Sequence, residues 1–387
     1  MVRVFVPDAD GREALRAHSQ HAYALDDAST LDRLWDHAGY ENVRVVADDD
    51  RVVGGCLVLP AAQWFGGAPV PSLGVAAVAV GGAFVRRGYA TALVGGLLRE
   101  CREQGIALST LYASNHALYR RSGYDHAGTA WDATVPSPPA WSGDRGLPVR
   151  EVSAADHVLL ERLYERVARD TPGFLVRTPY LWQRVYGPTR AGRPAWGQLV
   201  EGPDGPSGYL FYRKEPGNSR HSIQVVDAVA TDLATARRLW GIIADMSSMA
   251  DLVRLQTAPT DLLYLAHPDP RFELRLFEAW MLRVVDPYAA LTARGYPAVS
   301  GRVDLEVHDP VFGVERVRLD VEEGVGYATS GGSGAVRVDS RGLASMFSGY
   351  LHPRAARAAG RVDGSDADLA LLGVWWSGPA PWLRDRF

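Results

Sequence analysis

Residues 78 to 104 constrain this chain more than any other stretch. Val78-Ala79-Val80 ends an apolar run that begins at Leu73, Gly81-Gly82 breaks it, and Arg86-Arg87-Gly88 leads directly into Tyr89-Ala90-Thr91. From there Leu93, Leu97, Leu98 and Cys101 recur at helical spacing, and Gly105 ends the pattern. The order is strand, basic loop, helix. A helix start presents unpaired N–H groups and a partial positive charge. A pyrophosphate can be held there by the backbone, with arginine side chains adding charge. Gly88 lets the chain pass close to such an anion. Taken alone, the loop also reads as a plain turn before a helix.

A second stretch, Tyr112-Ala113-Ser114-Asn115-His116-Ala117-Leu118-Tyr119-Arg120-Arg121-Ser122-Gly123-Tyr124, follows after one helix and one strand. Together the two stretches resemble the GNAT superfamily of acyl-CoA N-acyltransferases. In that superfamily the first is the coenzyme A pyrophosphate loop, and the second resembles its segment of Asn, Tyr and a Gly-aromatic pair. Nearly the whole chain resembles a narrower group, the enhanced intracellular survival (Eis) family of acetyltransferases. That resemblance rests on Val78-Ala79-Val80 with its Arg-Arg-Gly loop, on Tyr119, on Val284-Val285-Asp286-Pro287-Tyr288-Ala289-Ala290-Leu291, and on the terminal Phe387. It implies an α+β chain with two GNAT-like mixed-sheet domains in tandem, followed by a sterol-carrier-protein-like α/β domain. The expected segments are 1–140, 141–286 (without a coenzyme loop) and 287–387. One departure is Val85, where the superfamily usually has Gln or Arg, so one phosphate contact is missing and weaker coenzyme binding is expected.

A coarse reading along the chain agrees with a three-part division, as does the length at about 150 residues per domain. Strands are expected at Val2–Val6, Asn42–Ala47 and Arg51–Leu59, the last two joined by Asp48-Asp49-Asp50 as a hairpin. Ser29 or Thr30 is expected to cap a helix bearing Leu31, Leu34 and Trp35 on one face. Leu108–Ala113 reads as a strand, then a short helix through Tyr119 and a strand from Tyr124 to Val135. A linker starts at Pro136-Ser137-Pro138-Pro139 and ends near Pro148. The pattern then restarts, with a helix at 154–169, strands near 195–200, 207–213 and 221–229, a helix from about Asp232 to Met249, and strands at Leu252–Thr257 and Leu262–Ala266. The strand before Asp232 leads into no Arg-Arg-Gly loop, and Asp232 at a helix start would oppose a pyrophosphate. Alternating stretches at 302–307, 315–321 and 335–338 precede two helices near 341–348 and 366–372.

The resemblance implies direct acetyl transfer from acetyl-CoA to a primary amine, cationic small molecules of the aminoglycoside kind among the candidate acceptors. The expected coenzyme set is Val78, Ala79, Val80, Arg86, Arg87, Gly88, Tyr89, Ala90, Thr91, Ser114 and Asn115. Backbone N–H groups of 78–80 would polarise the thioester. Tyr119 would protonate the departing thiolate, and in the family the C-terminal carboxylate, here on Phe387, takes the proton from the amine. An α-carboxylate, with an ordinary pKa of about 3.5, is a weak base, so burial or a water relay must assist. Asp26, Asp27 and Trp35 lie where the family admits its substrate, and an aromatic wall beside carboxylates would hold a cation; ordinary packing and capping explain them equally well. Trp375, Trp376 and Trp382 read as core. Arg384 and Arg386, partly offset by Asp385, would repel a polycation. Two other function classes stay open: a non-catalytic CoA- or lipid-binding protein, and a protein lysine or N-terminal acetyltransferase. The resemblance further implies a homohexamer built from trimers.

Composition narrows the field. Charged residues make up 22% with a formal net charge of −4, which gives no general pull toward nucleic acid or membrane. Lys214 is the single lysine, and the scattered arginines read as a compositional bias of the genome. No long apolar run suggests a membrane span, and Asp8 comes too early for a signal peptide. Cys56 and Cys101 make no disulfide framework, so a reduced, cytoplasmic protein is expected. His18 and His21 read as a surface pair on a helix, and no metal is expected.

Overall fold

The structure, a computed structural model, describes all residues except 28, 138–143, 188–192, 218–219, 268 and 270–271. The linker expected from Pro136 to Pro148 therefore lies partly outside the described residues. In chain order the elements are β1 (Val2–Phe5), α1 (Ala9–Ala22), α2 (Ser29–Ala38), β2 (Val43–Asp48), β3 (Arg51–Phe65), β4 (Ala68–Val80), α3 (Tyr89–Glu103), β5 (Leu108–Leu111), α4 (His116–Arg121) and β6 (Asp125–Pro136). Next come β7 (Val149–Glu151), α5 (His157–Ala168), β8 (Leu175–Val176), α6 (Pro179–Tyr186), β9 (Trp196–Gly202), β10 (Gly205–Glu215), β11 (His221–Ala230), α7 (Leu233–Asp245), β12 (Ala250–Gln256), α8 (Leu262–Ala266) and β13 (Glu273–Val284). The last segment holds α9 (Pro287–Ala293), β14 (Gly301–Asp309), β15 (Gly313–Glu322), β16 (Val325–Ser330), β17 (Val336–Asp339), α10 (Ser340–Phe347), α11 (Pro353–Ala358), β18 (Val362–Asp363) and α12 (Asp366–Trp375).

By compactness the chain divides in two. One unit comprises residues 1–128, 280–381 and 386–387; the other comprises 129–279 and 382–385. In the first unit β1 to β5 lie side by side in chain order, with residues 281–284 of β13 antiparallel to β5. The β2–β3 hairpin turns at Asp49, in left-handed conformation, with Asp48 opposite Arg51. In this run β4 and β5 pair in parallel, and α3 is the crossover between them, as the strand–loop–helix pattern requires. Leu93, Leu97, Leu98 and Cys101 of α3 are buried against Val46, Val58, Leu73 and Val75 of the sheet. The carboxy-terminal sheet, ordered β16-β15-β14-β17-β18, belongs to the same unit. Ion pairs tie it to the amino-terminal part: Arg102 grips Glu315 with both Nη atoms at 3.0 and 2.9 Å, and Arg341 and Arg361 reach Asp125 at 2.8 and 3.9 Å.

The second unit repeats the plan. Its strands run β6-β12-β11-β10-β9-β7, and β11 and β12 are the parallel pair, with α7 as crossover. Leu239, Trp240, Ile242 and Ile243 of α7 pack on Leu210, Ile223, Val225 and Val253.

Several expectations are corrected. Leu262–Ala266 is a helix, not a strand: Asp261 caps it by accepting from the Leu263 N–H at 2.7 Å, and a five-residue apolar run carries no period to tell the two apart. Ser29 is the first residue of α2 rather than its cap, its N–H being held by Asp27 at 2.6 Å. His21 is exposed but His18 is half-buried; its Nε2 lies 3.1 Å from the Val52 carbonyl and its ring meets Phe84 edge-on. α6, α11, β13 and β16 were not expected at all, β13 because most of residues 273–279 are at least partly exposed and mixed in character.

Candidate active site

The site grows out of one irregularity in β4. Gly55 pairs with Ala79 and Leu57 with Ala76, so the single residue Cys56 faces two, Ala77 and Val78. Ala77 takes a left-handed φ of +50°. Such a bulge leaves one residue out of the ladder and bends the strand. The Tyr23 hydroxyl donates to the Val78 carbonyl at 2.9 Å, which braces the bulge from the end of α1. Downstream of it β4 and β5 separate: their pairing covers only Ser72–Gly74 with Leu108–Thr110, while β4 continues to Val80. The half-buried Phe387 sits where they part. Its ring atoms stand 3.0 and 3.3 Å from the position of a Cβ on Gly74, and its ring centroid is 5.7 Å from that of Tyr112. A side chain at position 74 would collide with that ring.

From Val80 the chain turns through Gly81 into the basic loop. Arg86 has φ +62° and Gly88 φ +88°, and α3 then begins with no side chain capping it. Its first N–H groups are free of the usual cap and point from a fifteen-residue helix. They open on a cleft of about 1090 Å³. Val80, Val85, Arg86, Gly88, Tyr89, Ala90, Thr91 and Asn115 line it, with Arg99 and Arg121, and among the described residues no Asp or Glu does. This is the surface an elongated polyanion requires. Val85 is 54% exposed there and offers no polar atom beyond its backbone.

Asn115 starts α4 by accepting from the Leu118 N–H at 3.2 Å. The short helix carries Tyr119 inward, to 4% exposure, edge-on to Tyr124 with ring centroids 5.7 Å apart. Burial pushes the Tyr119 hydroxyl well above the ordinary tyrosine pKa, so it holds its proton at neutral pH. Among the described residues that hydroxyl has no hydrogen-bond partner. Tyr124, by contrast, donates to Ser109 Oγ at 2.8 Å and is a core residue.

The other expected residues are placed as follows. Val78 and Ala79 lie on the bulged strand, Ala79 buried, and neither lines the cleft; Arg87 and Ser114 are exposed outside its lining. Trp35, at 3% exposure, is core packing of α2 and has no free ring face for a cation. Hydrogen bonds from Ser29 lower the Asp27 pKa and commit that carboxylate to the start of α2, while Asp26 is exposed. Arg384 is also corrected. It is buried in the second unit, bound to Asp227 at 3.2 Å and Asp261 at 2.9 Å, and its charge is matched there. Trp375, Trp376 and Trp382 are buried, as their core reading requires. Arg99 and Arg121 were missed. The signal for Arg99 was present in its spacing from Gly88, Ala92 and Gly95, one face of α3 with small residues and then a cation.

The second unit has a counterpart to the site, differently filled. Phe211 pairs with Asp227 and Tyr212 with Val225, so β11 carries an extra residue much as β4 does. Counted back from the pairs Val80–Gly54 and Ala230–Gly208, Asp227 corresponds to Ala77. Asp227 is fully enclosed. It pairs with Arg177 and Arg384 and accepts from the Tyr209 hydroxyl at 2.8 Å. Asp385 pairs with Arg177 at 3.0 Å and accepts from the Tyr164 hydroxyl at 3.1 Å. At the start of α7, Asp232 accepts from the Thr235 N–H at 2.8 Å, so this helix terminus already holds an anion of its own.

Comparison with known proteins agrees with this geometry. Two family models described as acetyltransferase (GNAT) domain match residues 9–127 and 173–284, and one described as sterol carrier protein domain matches 287–384. An uncharacterized N-acetyltransferase of Streptomyces avermitilis is 30% identical over 353 residues, 83% of each chain. The N-acetyltransferase Eis of Mycobacterium tuberculosis is 28% identical over 318 residues, 78% of this chain and 76% of its own. A crystal structure of a GCN5-related N-acetyltransferase from Anabaena variabilis superposes with a TM-score of 0.93 at 29% identity, covering all of both chains.

Proposed function

Given that the chain belongs to the Eis family of GNAT N-acetyltransferases, we propose that it transfers an acetyl group from acetyl-CoA directly to the nitrogen of a primary amine. The observation that carries this reading is the uncapped start of α3 opening on an arginine-lined cleft with no carboxylate among its described lining residues, next to the bulge of β4. The coenzyme pyrophosphate rests on the N–H groups of Gly88 to Thr91, with Arg86 adding charge. The acetyl group lies along β4, where a backbone N–H of Val78 to Val80 polarises the thioester carbonyl. As the amine nitrogen bonds to the carbonyl carbon, the C–S bond breaks, and Tyr119 gives its proton to the leaving thiolate. Burial raises its pKa and so keeps it protonated across the neutral range.

Before attack the ammonium gives one proton to the α-carboxylate of Phe387, whose ring is lodged where β4 and β5 part, and the second proton that nitrogen sheds as the amide forms restores Tyr119. The exposed Asp26 attracts the cationic acceptor. The second unit takes no coenzyme, because Asp232 caps α7 and the Asp227 network fills the position of the bulge. A hexamer built from trimers is part of the proposal, and sedimentation equilibrium is its check.

The test is release of free thiol from acetyl-CoA against a panel of small polyamines, aminoglycosides and lysine-bearing peptides. Amine-dependent release with small molecules supports the reading, release with peptides alone moves the acceptor to protein, and none with any amine leaves a binding protein. A one-residue extension after Phe387 replaces its carboxylate with an amide and moves the charge by up to about 3.5 Å. It is expected to abolish most turnover while acetyl-CoA binding persists. Full activity in the extended protein removes the carboxylate from the mechanism.

A further inference from the structure

Resting on the coenzyme reading just given, we propose that Arg99 and Arg121 form a second phosphate site, which takes the 3′-phosphate of the coenzyme ribose and makes the enzyme selective for the phosphorylated nucleotide. The start of α3 and Arg86 account for one anionic group. The same cleft is also lined by Gly95, Arg99, Arg121 and Ser122.

Arg99 has a defined posture. Its Nη1 lies 3.7 Å from where a Cβ on Gly95 would stand, so the side chain folds back along α3 toward the helix start and lies over a residue that has no side chain. This is the direction helical side chains favour. It makes no ion pair among the described residues, although acids are near. Glu100 is taken by Arg44 at 2.9 and 3.1 Å, and Arg99 lines a neighbouring cavity together with Glu100 and Glu103 without pairing with either. Arg121, on α4, is exposed and likewise has no partner among the described residues. Two guanidiniums without an ion pair among the described residues thus line one cleft that has no carboxylate among its described lining residues, and an anion bound there gains from both charges.

The spacing fits the ligand. Gly95 is four residues past Thr91, about 6 Å along the helix axis. In coenzyme A six bonds separate the nearer diphosphate phosphorus from the 3′-phosphorus, which at about 1.5 Å each span roughly 7 Å. A diphosphate on the helix start thus brings the 3′-phosphate level with the Arg99 guanidinium. A dianionic phosphate between two arginines gains charge-assisted bonds that a ribose hydroxyl does not supply.

The experiment is calorimetric titration of the full chain with acetyl-CoA and with 3′-dephospho-acetyl-CoA, using wild type, Arg99→Ala, Arg121→Ala and the double variant, with melting temperatures as a check on folding. The expected result is at least about tenfold tighter binding of acetyl-CoA by wild type, the size of one charge-assisted hydrogen bond. That ratio should fall in each single variant and approach one in the double variant. Arg99→Lys, which keeps the charge but not the fork, should retain an intermediate ratio. Equal wild-type affinities for the two ligands overturn the proposal while leaving the coenzyme reading intact, as does a ratio unchanged in a folded double variant. Failure of wild type to bind either ligand overturns the coenzyme reading itself.

Discussion

Tyr119 and Tyr124 stand five residues apart in one core, and their hydroxyls separate their roles. Tyr124 spends its proton on Ser109, whereas Tyr119 has no partner among the described residues. Tyr119→Phe keeps the ring and its packing on Tyr124, so the fold and acetyl-CoA affinity should stay near wild type. Turnover should fall about 10²–10⁴-fold, the usual contribution of general acid catalysis, read as kcat at saturating acetyl-CoA. Because burial raises the hydroxyl above its ordinary value, the wild-type rate should show no alkaline loss from this group below about pH 10. A full rate in the Phe variant assigns the proton to another donor. The short helix that carries Tyr119 was legible from the second motif. The packing of Trp35 was not, because an aromatic beside two aspartates in sequence says nothing of which way its ring faces.

At the scale of elements, α3 and α7 are the same crossover helix with opposite starts. α3 has Gly88 in left-handed conformation and no cap, while α7 has the carboxylate of Asp232 on its Thr235 N–H. Gly88→Asp carries the second arrangement into the first. Asp tolerates the left-handed region better than most residues and no atom lies within 4 Å of a Cβ there, so stability should change by no more than about 1 kcal/mol. Acetyl-CoA affinity should fall more than tenfold, since a fixed negative charge then sits at the pyrophosphate position. Calorimetry and thermal melting of the same sample separate the two effects, and unchanged affinity places the pyrophosphate elsewhere. The helices themselves were readable from their 3.6-residue period. The bulges of β4 and β11 were not, because one extra residue in a ladder is a matter of register between two strands and leaves no mark in either.

For the whole molecule, the largest buried electrostatic commitment lies in the second unit. Burial alone would push the Asp227 pKa up, but Arg177, Arg384 and the Tyr209 hydroxyl hold it at about 2. A carboxylate whose folded value is depressed contributes stability above its unfolded value of about 3.9 and loses it as pH falls through the folded one. Stability should therefore drop between about pH 4 and pH 2. Asp227→Asn leaves two buried guanidiniums short of a counter-charge, which costs roughly 3–5 kcal/mol when such a pair is broken. The variant should melt lower at pH 7 and show a flatter acid dependence across that window, measured by calorimetry at several pH values. Because the chain has two compact units, two transitions are expected, and the one that moves should be that of residues 129–279. An unmoved profile means that Asp227 is not the group that titrates.

Much of this protein is local, and the sequence by itself determined it. The strand–loop–helix run of residues 78–104, the hairpin at 48–50, the repeat of the same plan after residue 149 and the short helix through Tyr119 all depend on neighbours within a few turns of chain. Their signals are period, turn chemistry and capping, which need no partner from elsewhere. Tertiary structure decided the rest. It set the union of residues 1–128 with 280–381 in one unit, the bulge at Ala77, the seat of Phe387 against Gly74, and the neutralisation of Arg384 by Asp227 and Asp261. Each of these joins residues far apart in the chain. Whether an arginine is a repulsive surface charge or half of a buried pair depends on which carboxylate the fold brings within about 3 Å, and no single stretch of sequence carries that distance.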